Sequence, residues 1–167
     1  MDPPRAGRGG GLTQREETQL STTASTTETN LALAREYVDR VFNAHQPELA
    51  AEYFTPNVKW HGGTLGTIEG PDDVVVLLQG FIGGLPDLNA VEQDAFAQGD
   101  FVAMRFVINA THGGPLFGVP ATGNHVQWTA VDIYRMEDGK IAEEWSVWNE
   151  LDMLRQLGLA PSSAASN

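Results

Sequence analysis

The sequence predicts an α+β domain in which amino-terminal helices cover one face of a curved antiparallel sheet. Up to Phe81, apolar residues recur at helical intervals, and from Leu88 onward the period changes to two. The turn signals Gln98-Gly-Asp100 and Asp138-Gly139 then cut the second half into strands joined by tight hairpins. A chain of 167 residues with 41% hydrophobic content is sized for one core, not two.

Residues 1–24, Gly-rich and then a Thr/Ser/Gln/Glu tract, offer almost nothing to bury, and a disordered tail is expected there. The domain is expected over 25–158, with a second flexible tail over 159–167. Ser25-Thr-Thr-Glu28 has capping-box spacing, followed by Leu31, Ala34, Tyr37, Val38, Val41 and Phe42 on one helical face to about Ala44. A short helix follows from Pro47 to Phe54, with Pro in the first turn. Gly70-Pro-Asp-Asp opens a third helix, which Gly83-Gly84 ends. Val58 to His61 is expected to add a small edge strand. Longer strands are expected at about 88–97, 101–112, 125–136 and 140–149, and Leu151, Leu154 and Leu157 mark a terminal helix closed by Gly158. No internal repeat is evident.

Composition narrows the function. The chain has no cysteine, which removes disulfides and thiolate metal sites and suits a reducing cytoplasm. With 22 acidic against 10 basic residues and a net charge of -12, its surface repels phosphate backbones and anionic lipid, so neither a nucleic acid nor a membrane is expected as partner. Nothing approaches the roughly 18 apolar residues of a membrane span, and no signal-peptide segment opens the chain.

Asp132 carries the chemistry. In Val126-Gln-Trp-Thr-Ala-Val-Asp-Ile-Tyr-Arg-Met136 it shares a strand face with Val126, Trp128, Ala130, Tyr134 and Met136, so it points into a core or a pocket. Stripping water from an unpaired carboxylate costs several kcal/mol or makes it take up a proton. A structural acid bound to a Trp or Tyr donor is one outcome, and a base of raised pKa is the other. His112 shares a face with Met104, Phe106, Ile108 and Ala110 and also points inward, where it could protonate an alkoxide, orient a carbonyl or simply bond to backbone. If His112 pairs opposite Trp128, it stands roughly 13 Å from the position facing Asp132, at about 3.3 Å per residue.

Alternation sends Trp60 and His61 to opposite faces, and likewise Glu143 and Glu144, and Trp145 and Trp148. The candidate pocket residues are therefore Trp60, His61, Phe106, Trp128, Tyr134, Glu144, Trp145 and Trp148, with one of each pair turned inward. Their rings suit a flat, fused-ring or polyene substrate. His45 and His125 are expected on the surface. The four histidines match no compact ligand spacing, so no metal is expected. Gly113 to Gly123, carrying Leu116 and Phe117, is expected to form a pocket-rim loop or a dimer contact.

Several segments, in order, carry a resemblance. Val58-Lys-Trp-His61, Gly70-Pro with its helix, Leu85-Pro-Asp-Leu88, Thr111-His-Gly-Gly, Gly118-Val-Pro-Ala-Thr-Gly123 and Val131-Asp-Ile-Tyr-Arg-Met-Glu-Asp-Gly-Lys-Ile-Ala-Glu-Glu-Trp145 together resemble the SnoaL-like polyketide cyclase family, over about residues 30–158. That family shares the cone-shaped, nuclear-transport-factor-like fold with ketosteroid isomerases, scytalone dehydratase and limonene epoxide hydrolase. The resemblance implies a deep pocket between sheet and helices, Asp132 as acid/base, no cofactor, and a homodimer formed through the open side of the sheet. Epoxide hydrolases of this fold place Arg two residues before the comparable Asp; Ala130 stands there instead.

The function expected is a cofactor-independent cyclase of polyketide or related secondary metabolism, such as antibiotic biosynthesis, with a hydrophobic carbonyl substrate. Asp132 would remove a carbon-bound proton and His112 would steady oxygen charge. The alternatives are a pericyclic or Michael-type cyclase acting by substrate folding, a cofactor-free hydroxylase, isomerase or hydrolase, and a non-catalytic binder of a hydrophobic ligand.

Overall fold

A computed structural model describes residues 13–160. Its first helix, α1 (Gln14–Tyr37), starts well before Ser25. The capping box is the earlier pair: Thr13 Oγ1 accepts the Glu16 N–H at 3.4 Å, and the Glu16 carboxylate accepts the Thr13 N–H at 2.7 Å. Both pairs share the Thr/Ser-x-x-Glu spacing, and the apolar period that singles out the later one marks where burial begins, not where the helix begins. Once nucleated, a helix extends through polar residues without needing a core beneath each turn. The remainder of the two expected tails, 1–12 and 161–167, lies outside the described residues.

The second half of α1 buries Asn30, Ala34 and Tyr37, and widened π-helical turns (Val38–Asn43) continue it with Val38 and Val41 inward. A single 3₁₀ turn, Pro47–Leu49, leads into α2 (Ala50–Tyr53). Helix α3 (Pro71–Gly84) begins as its Pro and two acids predict and buries Val74, Leu78 and Ile82 along one stripe. The valine run, a poor intrinsic helix former, is helical because Val74 packs into the core.

Six strands form one sheet: β1 (Phe54–Gly62), β2 (Gly66–Glu69), β3 (Asn89–Gln98), β4 (Phe101–Thr111), β5 (His125–Glu137) and β6 (Lys140–Trp148), in the order β2-β1-β6-β5-β4-β3. The expected meander is β3 to β6. The segment expected as a small edge strand is instead β1, nine residues long and interior, antiparallel to β2 and parallel to β6. Pro56 hides its length from sequence, because a residue without an N–H breaks the ladder, and the pairing with β6 shifts register between Phe54 and Lys59. Beyond β6, the Asn149 side chain caps α4 (Glu150–Gln156), accepting the Asp152 N–H at 3.1 Å, and Met153 and Leu157 close the core.

Burial alternates along β4 and β5, so one face of the curved sheet receives the helices and the other stays outside. The loop between these strands is pinned at its base: the Gly113 and Gly114 N–H groups both donate to the Gly84 carbonyl at the end of α3, each at 3.1 Å. A Cβ on Gly114 would collide with the Gly83 carbonyl oxygen, whereas one on Gly80 would meet open space. Gly114→Ala is therefore expected to cost about 2 kcal/mol of stability and Gly80→Ala to add up to about 1 kcal/mol, read by chemical denaturation.

Candidate active site

Pleat and register bring the site together. Across β5 and β6, Asp132 faces Ser146 and Tyr134 faces Glu144, so Asp132 and Glu144 are diagonal neighbours on the inner face. Across β1 and β6, Trp60 faces Glu144. Alternation along β6 turns Glu144, Ser146 and Trp148 inward and Glu143, Trp145 and Val147 outward.

These side chains floor a cavity walled by Phe42 from the π-helical turns, Leu77, Leu78 and Phe81 from α3, Ile108 from β4, and Trp128 and Ala130 from β5. Leu65 and Phe117 stand at its mouth. The free space is about 60 Å³. Past Leu65, Leu77, Phe81 and Phe117 it meets an apolar groove of about 260 Å³ that adds Val76, Gly80, Pro115 and Leu116. No Lys, Arg or His lines either space.

Asp132 is 8% exposed and Glu144 2%. Asp132 accepts hydrogen bonds from the Ser146 hydroxyl at 2.5 Å and the Tyr134 hydroxyl at 3.4 Å. Glu144 accepts one from the Tyr37 hydroxyl at 3.3 Å. Burial pushes Asp132 up to about 6 against the pull of those two donors. Glu144 is raised well above the usual carboxylate range, first by burial and then by the negative charge of Asp132. Both tyrosines are also raised, chiefly by burial and then by the two acids, so neither gives up its proton near neutrality.

Of the candidate pocket residues, the structure brings Trp60, Trp128, Glu144 and Trp148 to the cavity around Asp132. Tyr134 lies behind Asp132 as its hydrogen-bond donor and does not line the cavity. Phe106 is buried opposite Ala130 without lining the cavity, and borders a separate space with Met104 and Val38. His61 and Trp145 face outward: the rings stack at 5.5 Å, and His61 bridges Thr67 and Glu143, each at 2.9 Å. His45 and His125 are exposed, as expected.

His112 has the inward parity expected but the wrong depth. Trp128 pairs with Ile108 and Asp132 with Met104, which puts His112 eight residues along β4, roughly 26 Å away on a straight strand. Its Nδ1 instead accepts the Thr122 N–H at 3.3 Å and lies 3.0 Å from the Thr122 hydroxyl, clasping the loop that carries Phe117. Parity is a local property of the chain; register is set by the loop and by the partner strand.

Sequence reasoning overlooked Ser146, Tyr37, Phe42, Leu77, Leu78, Phe81 and Ile108. Ser146 had a signal, being a hydroxyl two residues from Glu144 on the same face. The helix residues were legible only as core. Among the described residues, no group of three or more His, Asp or Glu side chains is placed to hold a metal ion. No described helix is long and apolar enough to cross a membrane.

Fold and cavity together define a cone-shaped α+β protein with acids on the floor of an apolar chamber. The profile of the SnoaL-like polyketide cyclases matches residues 32–157, and the chain belongs to that family. AclR, a candidate hydroxylase from Streptomyces galilaeus, is 30% identical with a TM-score of 0.72, over 81% of this chain and 99% of its own. IdmH, a candidate polyketide cyclase from Streptomyces antibioticus, is 29% identical with a TM-score of 0.62, over 72% of this chain and 93% of its own. A candidate SnoaL-like polyketide cyclase from Jannaschia sp. CCS1 superposes with a TM-score of 0.75 at 20% identity, over 81% of this chain and 95% of its own, a likeness of fold alone. No curated protein matches the sequence.

The raised Asp132 makes stability depend on pH. The folded chain keeps on Asp132 a proton that the unfolded chain releases near its ordinary value of 3.8, so this contribution is complete below about pH 4 and lost as pH rises through about 6. Asp132→Asn cannot ionise and is expected to exceed the parent in stability at pH 7.5 by up to about 3 kcal/mol, with the gap closing below pH 4. Urea denaturation at the two pH values reads the difference; an unchanged gap would mean that Asp132 is well hydrated.

Proposed function

We propose that this protein is a cofactor-independent cyclase acting on an uncharged, hydrophobic, polyketide-like carbonyl compound. The observation that carries the reading is Asp132, a desolvated carboxylate on the floor of a cavity whose other walls are apolar and aromatic. A base whose pKa lies near the working pH accepts a carbon-bound proton most effectively, and burial brings Asp132 toward that range. With no cationic side chain on the walls, an anionic substrate would face two acids in a low dielectric, so the substrate enters neutral.

Asp132 removes a proton from carbon beside a carbonyl. The resulting enolate carbon attacks a second carbonyl of the same molecule, closing a ring. Trp60, Trp128, Phe81 and Trp148 hold the flexible chain in the folded shape, a contribution of about 7 to 11 kcal/mol in well-oriented reactions. Ser146 and Tyr134 hold the carboxylate still. His112, remote from Asp132, is given the loop and not the chemistry.

AclR supports a second reading, a cofactor-free oxygenation, in which the same base forms a carbanion that adds dioxygen, the new C–O bond taking the carbanion's electrons and the terminal oxygen taking a proton to give a hydroperoxide. Both begin with proton removal. A neutral aryl 1,3-diketone carrying a tethered ketone, incubated in D2O, separates them by mass: deuterium exchange followed by a ring-closed product of unchanged formula marks the cyclase, and a gain of oxygen marks the hydroxylase. Asp132→Asn is expected to lower exchange at least about 100-fold. Near-full activity in that variant would leave only closure by substrate folding.

Homodimerisation belongs to the same reading. Ile133 and Val147 stand exposed on the outer sheet face beside Val131 and Trp145, an apolar surface suited to a second copy. Light scattering is expected to give twice the chain mass, and Val147→Glu to give the single-chain mass.

A further inference from the structure

Asp132 and Glu144 line one cavity as diagonal neighbours on adjacent strands, and every group that meets them is neutral: Ser146 from β6, Tyr134 from β5, Tyr37 from α1 and Trp60 from β1. Burial raises both acids, and the negative charge of Asp132 raises Glu144 again, so a single negative charge on the pair is favoured over two. Hydrogen bonding decides where it sits. Asp132 accepts from two hydroxyls, one at 2.5 Å, which spread its charge, while Glu144 accepts from the Tyr37 hydroxyl at 3.3 Å and the Trp60 indole N–H and lies deeper.

Building on the cyclase reading, we infer that Glu144 is a second catalytic residue, the standing acid of a one-proton pair in which Asp132 is the standing base. The bookkeeping of atoms is complete within the substrate and the pair. Asp132 takes the carbon-bound proton, and the freed electron pair forms the new carbon–carbon bond. The π electrons of the attacked carbonyl move to its oxygen, which takes the proton from Glu144. The proton on Asp132 then passes to the Glu144 carboxylate, and the pair is restored with no outside acid, base or oxidant. Tyr37, donating to Glu144 from α1, keeps that carboxyl turned toward the cavity as a positioning residue.

Two measurements test this. In carboxyl-detected 13C titration of the whole chain, assigned with single variants, Asp132 is expected to ionise first, near pH 6, and Glu144 at higher pH, and Asp132→Asn to move the Glu144 titration downward. Both acids ionised at pH 7 in the parent would overturn the inference. With the tethered diketone, the parent rate is expected to rise as Asp132 ionises and to fall as Glu144 does. Glu144→Gln, equal in shape and still able to donate a hydrogen bond, is expected to keep deuterium exchange within about threefold, to lose ring closure by about 100-fold, and to lose the alkaline decline from the exchange profile. A merely structural Glu144 would move exchange and closure together. If Asp132→Asn is inert while Glu144→Gln keeps the parent closure rate and profile, Glu144 is not the acid and the cyclase reading stands. If Asp132→Asn is fully active, proton removal by Asp132 falls and the acid–base pair with it, leaving only closure by substrate folding.

Discussion

Two acidic side chains share an apolar chamber with no cation to neutralise them, and the organisation of the site follows from that constraint. Unpaired, a buried carboxylate costs several kcal/mol. Here the cost is lowered by neutral donors from separate parts of the chain: Tyr37 from the end of α1, Tyr134 from β5 and Ser146 from β6. Neutral donors reduce the penalty without cancelling the charge, so the acids keep raised pKa values and with them an affinity for protons. A lysine or arginine in the same place would have made a stable ion pair and a poor base.

The fold is what makes such a chamber possible. A curved sheet closed on its concave side by α1, the π-helical turns and α3 encloses space that neither layer could fill alone, and the inward pleat positions of β5 and β6 deliver polar groups to its floor. The mouth is built separately, from Leu65 and from the loop whose base is tied to α3 and whose far end is clasped by His112. Floor chemistry and mouth shape are therefore set by separate parts of the chain.

Much of the architecture was legible because it is local. Helix and strand periods, the Pro71 start of α3, the two hairpins and the inward face of Asp132 all depend on residues within a few positions of one another. Errors arose where a local signal had a competitor or a silent partner: two capping boxes at the start of α1, and Pro56 disguising an interior strand as a short edge. For each adjacent pair at the site, sequence stated that one member faces inward without saying which. Trp60, Glu144 and Trp148 were resolved only when β1 and β6 aligned in parallel.

From its own order of residues, the chain determined a helix-then-sheet domain, a strongly negative surface and one carboxylate held on an apolar strand face, since burial pattern and charge are properties of composition and period. Only the tertiary structure decided that Glu144 and not His112 stands beside Asp132. Proximity across a sheet is set by register between strands far apart in sequence, and a register is chosen by the packing of the whole sheet, not by either strand alone.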